Sequence, residues 1–81
     1  LIITNKIINM VFTNEDYERM LGRILEWADT KYKFDARTFE GIHHNYEEYG
    51  EFTVNQENAI ENVYNNWRIE KWYNKTYPDI N

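Results

Sequence analysis

Residues 51–73, EFTVNQENAIENVYNNWRIEKWY, contain the clearest helix signals in this chain. Thr53 and Gln56 form the T-x-x-Q capping box that begins a helix, because the threonine hydroxyl and the glutamine amide each satisfy a free backbone N–H group. The apolar residues that follow recur at helical spacing and predict one buried stripe. They are Ala59, Ile60, Val63, Tyr64 and Trp67. The stretch therefore predicts a helix over about 54–73 with Trp67 in the core.

The apolar pattern changes direction after this stripe. Ile69, Trp72 and Tyr73 belong to a stripe that is rotated away from the first one. This rotation predicts either a bend near residues 65–66 or a longer helix that covers two different neighbours. Pro78 ends any helical continuation, because it lacks a backbone N–H group.

A similar start device precedes the first predicted helix, over about 14–30. Thr13 is predicted as its N-cap, with Asp16 three residues later, and Phe12 is placed to reach Tyr17 as a hydrophobic staple. Trp27 lies off the apolar stripe of this helix, so it either widens the buried face or is exposed. The stripe itself is Tyr17, Met20, Leu21, Ile24, Leu25 and Ala28.

The second predicted helix, over 36–49, begins with Asp35 as the expected cap, between Phe34 and its staple partner Phe39. Gly50 is suited to end it, because glycine readily adopts the left-handed conformation. Gly41 costs about 1 kcal/mol relative to alanine, which predicts that this helix depends on tertiary packing or a close approach there. The stripe is Phe39, Ile42, His43 and Tyr46.

Short connections make successive helices neighbours, so the predicted fold is all-α, a compact three-helix bundle. We assign residues 13–77 to a single helical domain, 1–12 to an N-terminal arm or extension, and 78–81 to a tail. The 81 residues include three Trp, seven Tyr and four Phe, which is ample material for a small core. Cysteine is absent, which excludes disulfides and thiolate metal sites and favours a reducing, cytoplasmic compartment.

Acidic residues are concentrated in the middle of the chain. Residues 35–66 hold seven acids and one base, a net charge of −6. Such a surface favours a basic protein partner and repels nucleic-acid phosphates, although an acidic face can also serve only to stay hydrated. The candidate partner-binding residues on this face are Glu40, Glu47, Glu48, Glu51, Glu57, Glu61 and Tyr49.

The C-terminal stretch alternates basic and aromatic side chains and gives an alternative interface. This mixture could stack on single-stranded bases or bind a protein, or the aromatic residues could simply cap the bundle end. The residues concerned are Arg68, Lys71, Trp72, Tyr73 and Lys75.

No motif predicts catalysis, and we expect neither an enzyme nor a cofactor. Glu40 and His43 form one E-x-x-H pair, and Glu40, His44 and Glu48 share one helix face. A di-iron bundle needs two such pairs and further glutamates, so we predict surface side chains rather than a metal site. Serine is also absent, and the three glycines are isolated, which excludes a phosphate-binding loop.

The helix pattern F-T-x-x-Q-x-x-A-I-x-N-V-Y-x-x-W, together with eleven Asn, nine Ile and an acidic balance, resembles small accessory proteins of bacteriophages and other mobile elements. The resemblance extends mainly over Phe34 to Trp67. Proteins of this kind, anti-CRISPR and host-takeover proteins among them, bind a host complex stoichiometrically, sometimes by imitating nucleic acid with an acidic surface. The resemblance implies a binding protein without a cofactor.

The sequence thus predicts an acidic helical binding module, a phage-type inhibitor or adaptor that binds a host protein or nucleoprotein complex with a basic surface. A nucleic-acid accessory module that uses the C-terminal helix is the second hypothesis. A homo-oligomeric structural protein, held together by the isoleucine-rich arm and exposed aromatic residues, is the third. No apolar run approaches the roughly 20 residues of a membrane span.

Overall fold

The computed structural model describes residues 12–78, and this part of the chain contains four α-helices and no β-strand. We number them α1 (Asn14–Ala28), α2 (Arg37–Tyr49), α3 (Val54–Asn66) and α4 (Ile69–Thr76). The all-α prediction is confirmed, whereas the prediction of three helices is wrong. The predicted arm lies outside the described residues except for Phe12, and so does the predicted tail except for Pro78.

Both predicted threonine caps are confirmed, and each is part of a capping box. The Thr13 hydroxyl accepts a hydrogen bond from the Asp16 N–H at 3.1 Å, and the Asp16 carboxylate accepts one from the Thr13 N–H at 2.9 Å. Thr53 and Gln56 repeat this arrangement at the start of α3 with the same two distances, 3.1 and 2.9 Å. The Phe12 ring packs edge-on against Tyr17 with centroids 5.5 Å apart, which is the predicted staple.

The start of α2 differs from its prediction by one residue. Ala36 occupies the N-cap position without a side-chain hydrogen bond, so Asp35 is not the cap. The Asp35 carboxylate is held instead by Arg37, accepting from its backbone N–H at 3.1 Å and from its guanidinium at 2.7 Å. These hydrogen bonds from Arg37 lower the pKa of Asp35 to about 2. The staple contact persists, with the Phe34 and Phe39 rings stacked at 6.1 Å.

The third predicted helix is interrupted between Asn66 and Ile69. Arg68 adopts the left-handed conformation, with φ 51° and ψ 48°, so the chain turns there and α4 starts in a new direction. Ile69 is fully buried after this turn, whereas Trp67 is 54% exposed. The prediction that Trp67 belongs to the core is therefore wrong, because α3 ends before Trp67 and its periodicity no longer applies.

The core is organised around α1. This helix packs against each of the other three helices, and α4 also packs against α3. Leu21 and Ile24 of α1 are completely buried with Ile60 and Ile69, and Trp27 is only 2% exposed. Trp27 therefore widens the buried face of α1. By contrast, α2 and α3 have no extensive contact with each other. Both pack on α1, and a groove separates them.

The two glycines of α2, Gly41 inside the helix and Gly50 at its end, make opposite predictions. A Cβ atom at Gly41 meets nothing within 4 Å, so of the two alternatives for Gly41 the close approach is excluded. Gly41→Ala is expected to raise the free energy of unfolding by about 0.5–1 kcal/mol, because alanine loses less backbone entropy in a helix. Gly50→Ala is the control: Gly50 has φ 76°, so alanine there is expected to cost about 1 kcal/mol. Urea denaturation of both variants measures the difference, and a loss of stability in Gly41→Ala contradicts the prediction.

Candidate protein-binding surfaces

One end of the molecule brings together the beginning of α1, the end of α2 and the beginning of α3. Phe52, in the loop between α2 and α3, joins them: its ring stacks on Tyr46 of α2 with centroids 4.2 Å apart and packs edge-on against Tyr17 of α1 at 6.0 Å. Phe52 is 8% exposed, so this junction is part of the core. We call this end of the molecule, formed by residues 13–19 and 46–61, the acidic end because of its many carboxylates.

Carboxylates from three segments meet at the acidic end. Residues 13–19 and 46–61 contain eight acids and a single base, Arg19, whose guanidinium bonds the Asp16 carboxylate at 3.0 Å. The net charge of these segments is −7. The acids are Glu15, Asp16, Glu18, Glu47, Glu48, Glu51, Glu57 and Glu61.

Two tyrosines show that carboxylates from different helices are close together. The Tyr17 hydroxyl donates a hydrogen bond to the Glu61 carboxylate of α3. Burial, this bond and the nearby negative charges raise the pKa of Tyr17 well above its usual value. Burial also raises the pKa of Tyr46 on α2, and the charges of Glu18 and Glu15 on α1 add to the effect. Both tyrosines are thus neutral hydrogen-bond donors inside an acidic surface at neutral pH.

Five of the six predicted acidic-face glutamates lie at this end. Glu47, Glu48 and Glu51 are exposed, whereas the side chains of Glu57 and Glu61 are half-buried. Glu40 lies two turns away in the first turn of α2, so the six do not form one continuous patch. Tyr49, the predicted aromatic contact, is 70% exposed.

The sequence interpretation missed the carboxylates of α1. Glu15, Asp16 and Glu18 were interpreted only as residues of a helix start, because they lie 17 or more positions before the acidic block of residues 35–66. The signal that could have found them is topological: in an up-down-up arrangement the start of the first helix lies beside the start of the third. The charge of this end is therefore larger than the sequence indicated.

A groove runs between α2 and α3 and reaches the acidic end. It has two stretches, of about 440 and 420 Å³, which share Asn45 of α2 and Gln56 of α3. Gly41, Ile42 and Ala59 line the stretch far from the acidic end. The other stretch is lined by Tyr49, Glu51, Phe52 and Thr53. We call this feature the α2–α3 groove.

A smaller pocket lies near the other end of α1, roughly 20 Å along the helix from its start. The Trp27 ring lies 4.9 Å from Phe34 and 5.3 Å from Trp67, measured between centroids. Together with Lys31 and Lys33 these rings line a pocket of about 220 Å³. We call it the tryptophan pocket. Sequence analysis missed this pocket, because Trp67 was assigned to the core and Trp27 had two open interpretations.

The predicted C-terminal interface is only partly available. Arg68, Lys71 and Lys75 are exposed, but Trp72 is half-buried against the core. The Tyr73 ring is covered by Arg23, whose guanidinium carbon lies 3.9 Å from the ring centroid. These two aromatic side chains are therefore engaged inside the molecule, which favours the alternative that they cap the end of the bundle over contact with a partner.

The turn at Arg68 makes its own prediction. An L-residue with φ 51° is held in a conformation that costs about 1–2 kcal/mol, and a β-branched residue tolerates it least. Arg68→Gly is expected to leave the stability unchanged or raise it by up to about 1 kcal/mol, whereas Arg68→Val is expected to lower it by about 1–2 kcal/mol. Thermal unfolding of the two variants measures their stabilities, and Arg68→Gly is expected to be the more stable. Equal stabilities contradict the conformation assigned to Arg68.

Within residues 12–78, no group of three or more potential metal ligands lies close enough together to hold an ion. The Nδ1 atom of His43 is 3.7 Å from the Glu47 carboxylate, an i,i+4 pair on the surface of α2. In the same part of the chain, no helix combines the length and the apolar character that crossing a membrane requires. Compared with known proteins, the chain matches no family model, no curated protein and no solved structure at a significant level.

Proposed function

We propose that this protein is a binding module whose acidic end and α2–α3 groove bind a basic segment of another protein. The observation that supports the proposal is the convergence of eight carboxylates from three separate segments on one end, beside a groove that opens there. In this proposal the protein acts stoichiometrically and without a cofactor.

The two parts of the surface have different physical roles. Exposed carboxylates attract a basic partner over about 8–10 Å at physiological ionic strength and mainly raise the association rate. The groove supplies contact that excludes water: Tyr49 stands at its edge, and the amides of Asn45, Asn55 and Gln56 offer hydrogen bonds along its walls. In this proposal the groove determines which partner is bound, and the charge of the acidic end determines the association rate.

The proposal extends to the class of proteins that the sequence resembles. A phage-type inhibitor or adaptor in the cytoplasm of a host cell would bind a host protein or nucleoprotein complex through that partner's basic surface. Nucleic-acid mimicry is one form of this activity, since a net charge of −7 on one end is comparable to a short run of phosphates.

Affinity capture from a lysate of the cells that express the protein tests the proposal. Glu47→Lys/Glu48→Lys reverses two exposed charges at the acidic end, and Asp29→Lys/Glu40→Lys makes the same charge change at exposed positions elsewhere. We expect the wild-type chain and the control to capture the same basic proteins, identified by mass spectrometry. The acidic-end variant is expected to lose them, with affinity reduced about tenfold or more.

A salt series on the captured complex supplies the second readout. Association through the acidic end is expected to weaken steadily as ionic strength rises, because added ions screen exposed charges. Capture that is insensitive to salt and equal for both variants contradicts the proposal, and so does a wild-type chain that captures nothing.

The nucleic-acid hypothesis has its own test. An electrophoretic shift with single-stranded and duplex oligonucleotides, using wild type and Lys71→Glu/Lys75→Glu, separates it from protein binding. A shift that depends on these two lysines supports a nucleic-acid module on α4.

A further inference from the structure

We propose that the tryptophan pocket is a second binding site, which takes one aromatic or large aliphatic side chain from a short acidic peptide segment. This site lies at the opposite end of α1 from the acidic end. It would bind an acidic partner, whereas the acidic end would bind a basic one.

The backbone around Trp67 holds its indole at the surface. Two residues later Ile69 is fully buried, so the core lies within reach, yet Trp67 remains 54% exposed. The left-handed conformation of Arg68 produces this arrangement, since it turns the chain immediately after Trp67. Strained backbone of this kind persists where the surrounding structure enforces it, and it is concentrated at functional sites.

The pocket has the size and lining of an anchor site. Its volume of about 220 Å³ suits a single side chain, and the rings of Trp27, Phe34 and Trp67 form its walls. Trp27 and Phe34 are fixed by the core, with Trp27 2% exposed, so two of the three walls are rigid. Only Trp67 has the freedom to adjust to a bound group.

Charge identifies the chemistry of the partner. Lys31 and Lys33 line the pocket, and no carboxylate does. Both lysines are exposed, and among residues 12–78 neither forms an ion pair. When an apolar side chain of the peptide occupies the pocket, the peptide residues before and after it lie beside these two ammonium groups. Carboxylates are favoured at those peptide positions.

A single-stranded nucleic acid fits this site less well than a peptide. Binding such a strand requires a series of stacking rings along a basic track. Trp72 and Tyr73 are already packed against the protein, so Trp67 and the exposed Tyr32, which lies between Lys31 and Lys33 in the sequence, give a pair of rings rather than a series. A polyanion would also be repelled by the acidic end, whereas a peptide with a few carboxylates extends only across the pocket.

The test is a titration of the full chain with an acetylated, amidated pentapeptide of sequence Asp-Glu-Phe-Glu-Asp. The Trp67 indole N–H signal in a nitrogen-correlated NMR spectrum reports on binding. We expect a saturable shift of that signal with the pentapeptide. Replacing its phenylalanine with alanine, or its four acids with lysine, is expected to weaken binding about tenfold or more.

Variants of the protein locate the site. Lys31→Glu/Lys33→Glu is expected to weaken binding of the pentapeptide about tenfold or more, while Lys71→Glu/Lys75→Glu, with the same charge change on α4, changes it less than about twofold. In Trp67→Ala the titration is monitored with the Trp27 indole N–H signal, and we expect no saturable shift. Circular dichroism confirms that the helices remain in this variant.

Several results would overturn the proposal. They are the absence of a saturable shift up to millimolar peptide, equal weakening by the two lysine pairs, equal binding of the alanine peptide, and tighter binding of an oligothymidylate than of the acidic peptide. The last result assigns the pocket to nucleic acid instead.

Discussion

Replacing Trp27 with alanine is expected to lower the free energy of unfolding by about 3–5 kcal/mol, the largest effect of any substitution considered for this protein. The side chain is 2% exposed and packs between Phe34 and Trp67. Its removal leaves a cavity beside the rings of Phe34 and Trp67. A domain of 81 residues has a stability of only several kcal/mol, so this variant is expected to be largely unfolded at 37 °C.

Trp67→Ala is the matched control, because it removes the same side chain from the same ring cluster. Trp67 is 54% exposed, so its loss is expected to cost about 1 kcal/mol and to leave the protein folded. Urea denaturation followed by circular dichroism at the helix band gives both values. Equal losses in the two variants contradict the buried and exposed positions described for these residues.

Alkaline pH is expected to destabilise the protein steeply, with Tyr17 as a main cause. Burial raises the pKa of Tyr17 above its unfolded value of about 10, with contributions from the hydrogen bond to Glu61 and from nearby carboxylates. The folded state therefore keeps a proton that the unfolded state releases. The resulting stabilisation is complete below pH 10 and falls by about 1.4 kcal/mol for each pH unit above it. Tyr46 and Tyr64, whose pKa values are also raised, act in the same direction.

Tyr17→Phe separates this contribution from the general effect of alkali. The variant is expected to lose about 1 kcal/mol at neutral pH, where it lacks the bond to Glu61, and to show a shallower fall between about pH 10 and 12. Urea midpoints across this range measure the slope, and the near-ultraviolet absorbance of tyrosinate reports the ionisation directly. A slope unchanged by the substitution contradicts the assigned role of Tyr17.

Local signals in the sequence predicted the starts of α1 and α3 well. The Thr13 and Thr53 boxes depend on contacts between residues three apart, so their outcome is decided within one turn of helix. The rotated stripe after Trp67 predicted a bend near residues 65–66 as one of two alternatives, but it could not decide between them. Arginine in a left-handed turn has no local signature, and the periodic stripe of α3 continues to Trp67, one residue past the last helical residue.

The candidate surfaces were harder to predict than the helices. Clustering of carboxylates at the acidic end depends on α1 and α3 being side by side, which no spacing within either helix reveals. The choice for Trp27 between a wider buried face and exposure likewise depended on where Phe34 and Trp67 would lie. The glutamates at 47, 48 and 51 were found because they are close in sequence, and Glu40 was included for the same reason although two helical turns separate it from them.

The separation of α2 from α3 has a consequence for how this protein can evolve or be redesigned. Because both helices are anchored on α1, the exposed side chains that line the groove between them contribute little to holding the fold together, unlike the buried Ile42 and Phe52. Positions such as Thr38, Gly41, Asn45 and Asn55 can therefore vary widely while Leu21, Ile24, Ile60 and Ile69 remain constant. A scaffold built in this way can acquire a new target by exchanging groove residues alone, and a library randomised at those positions is a direct route to binders of different specificity.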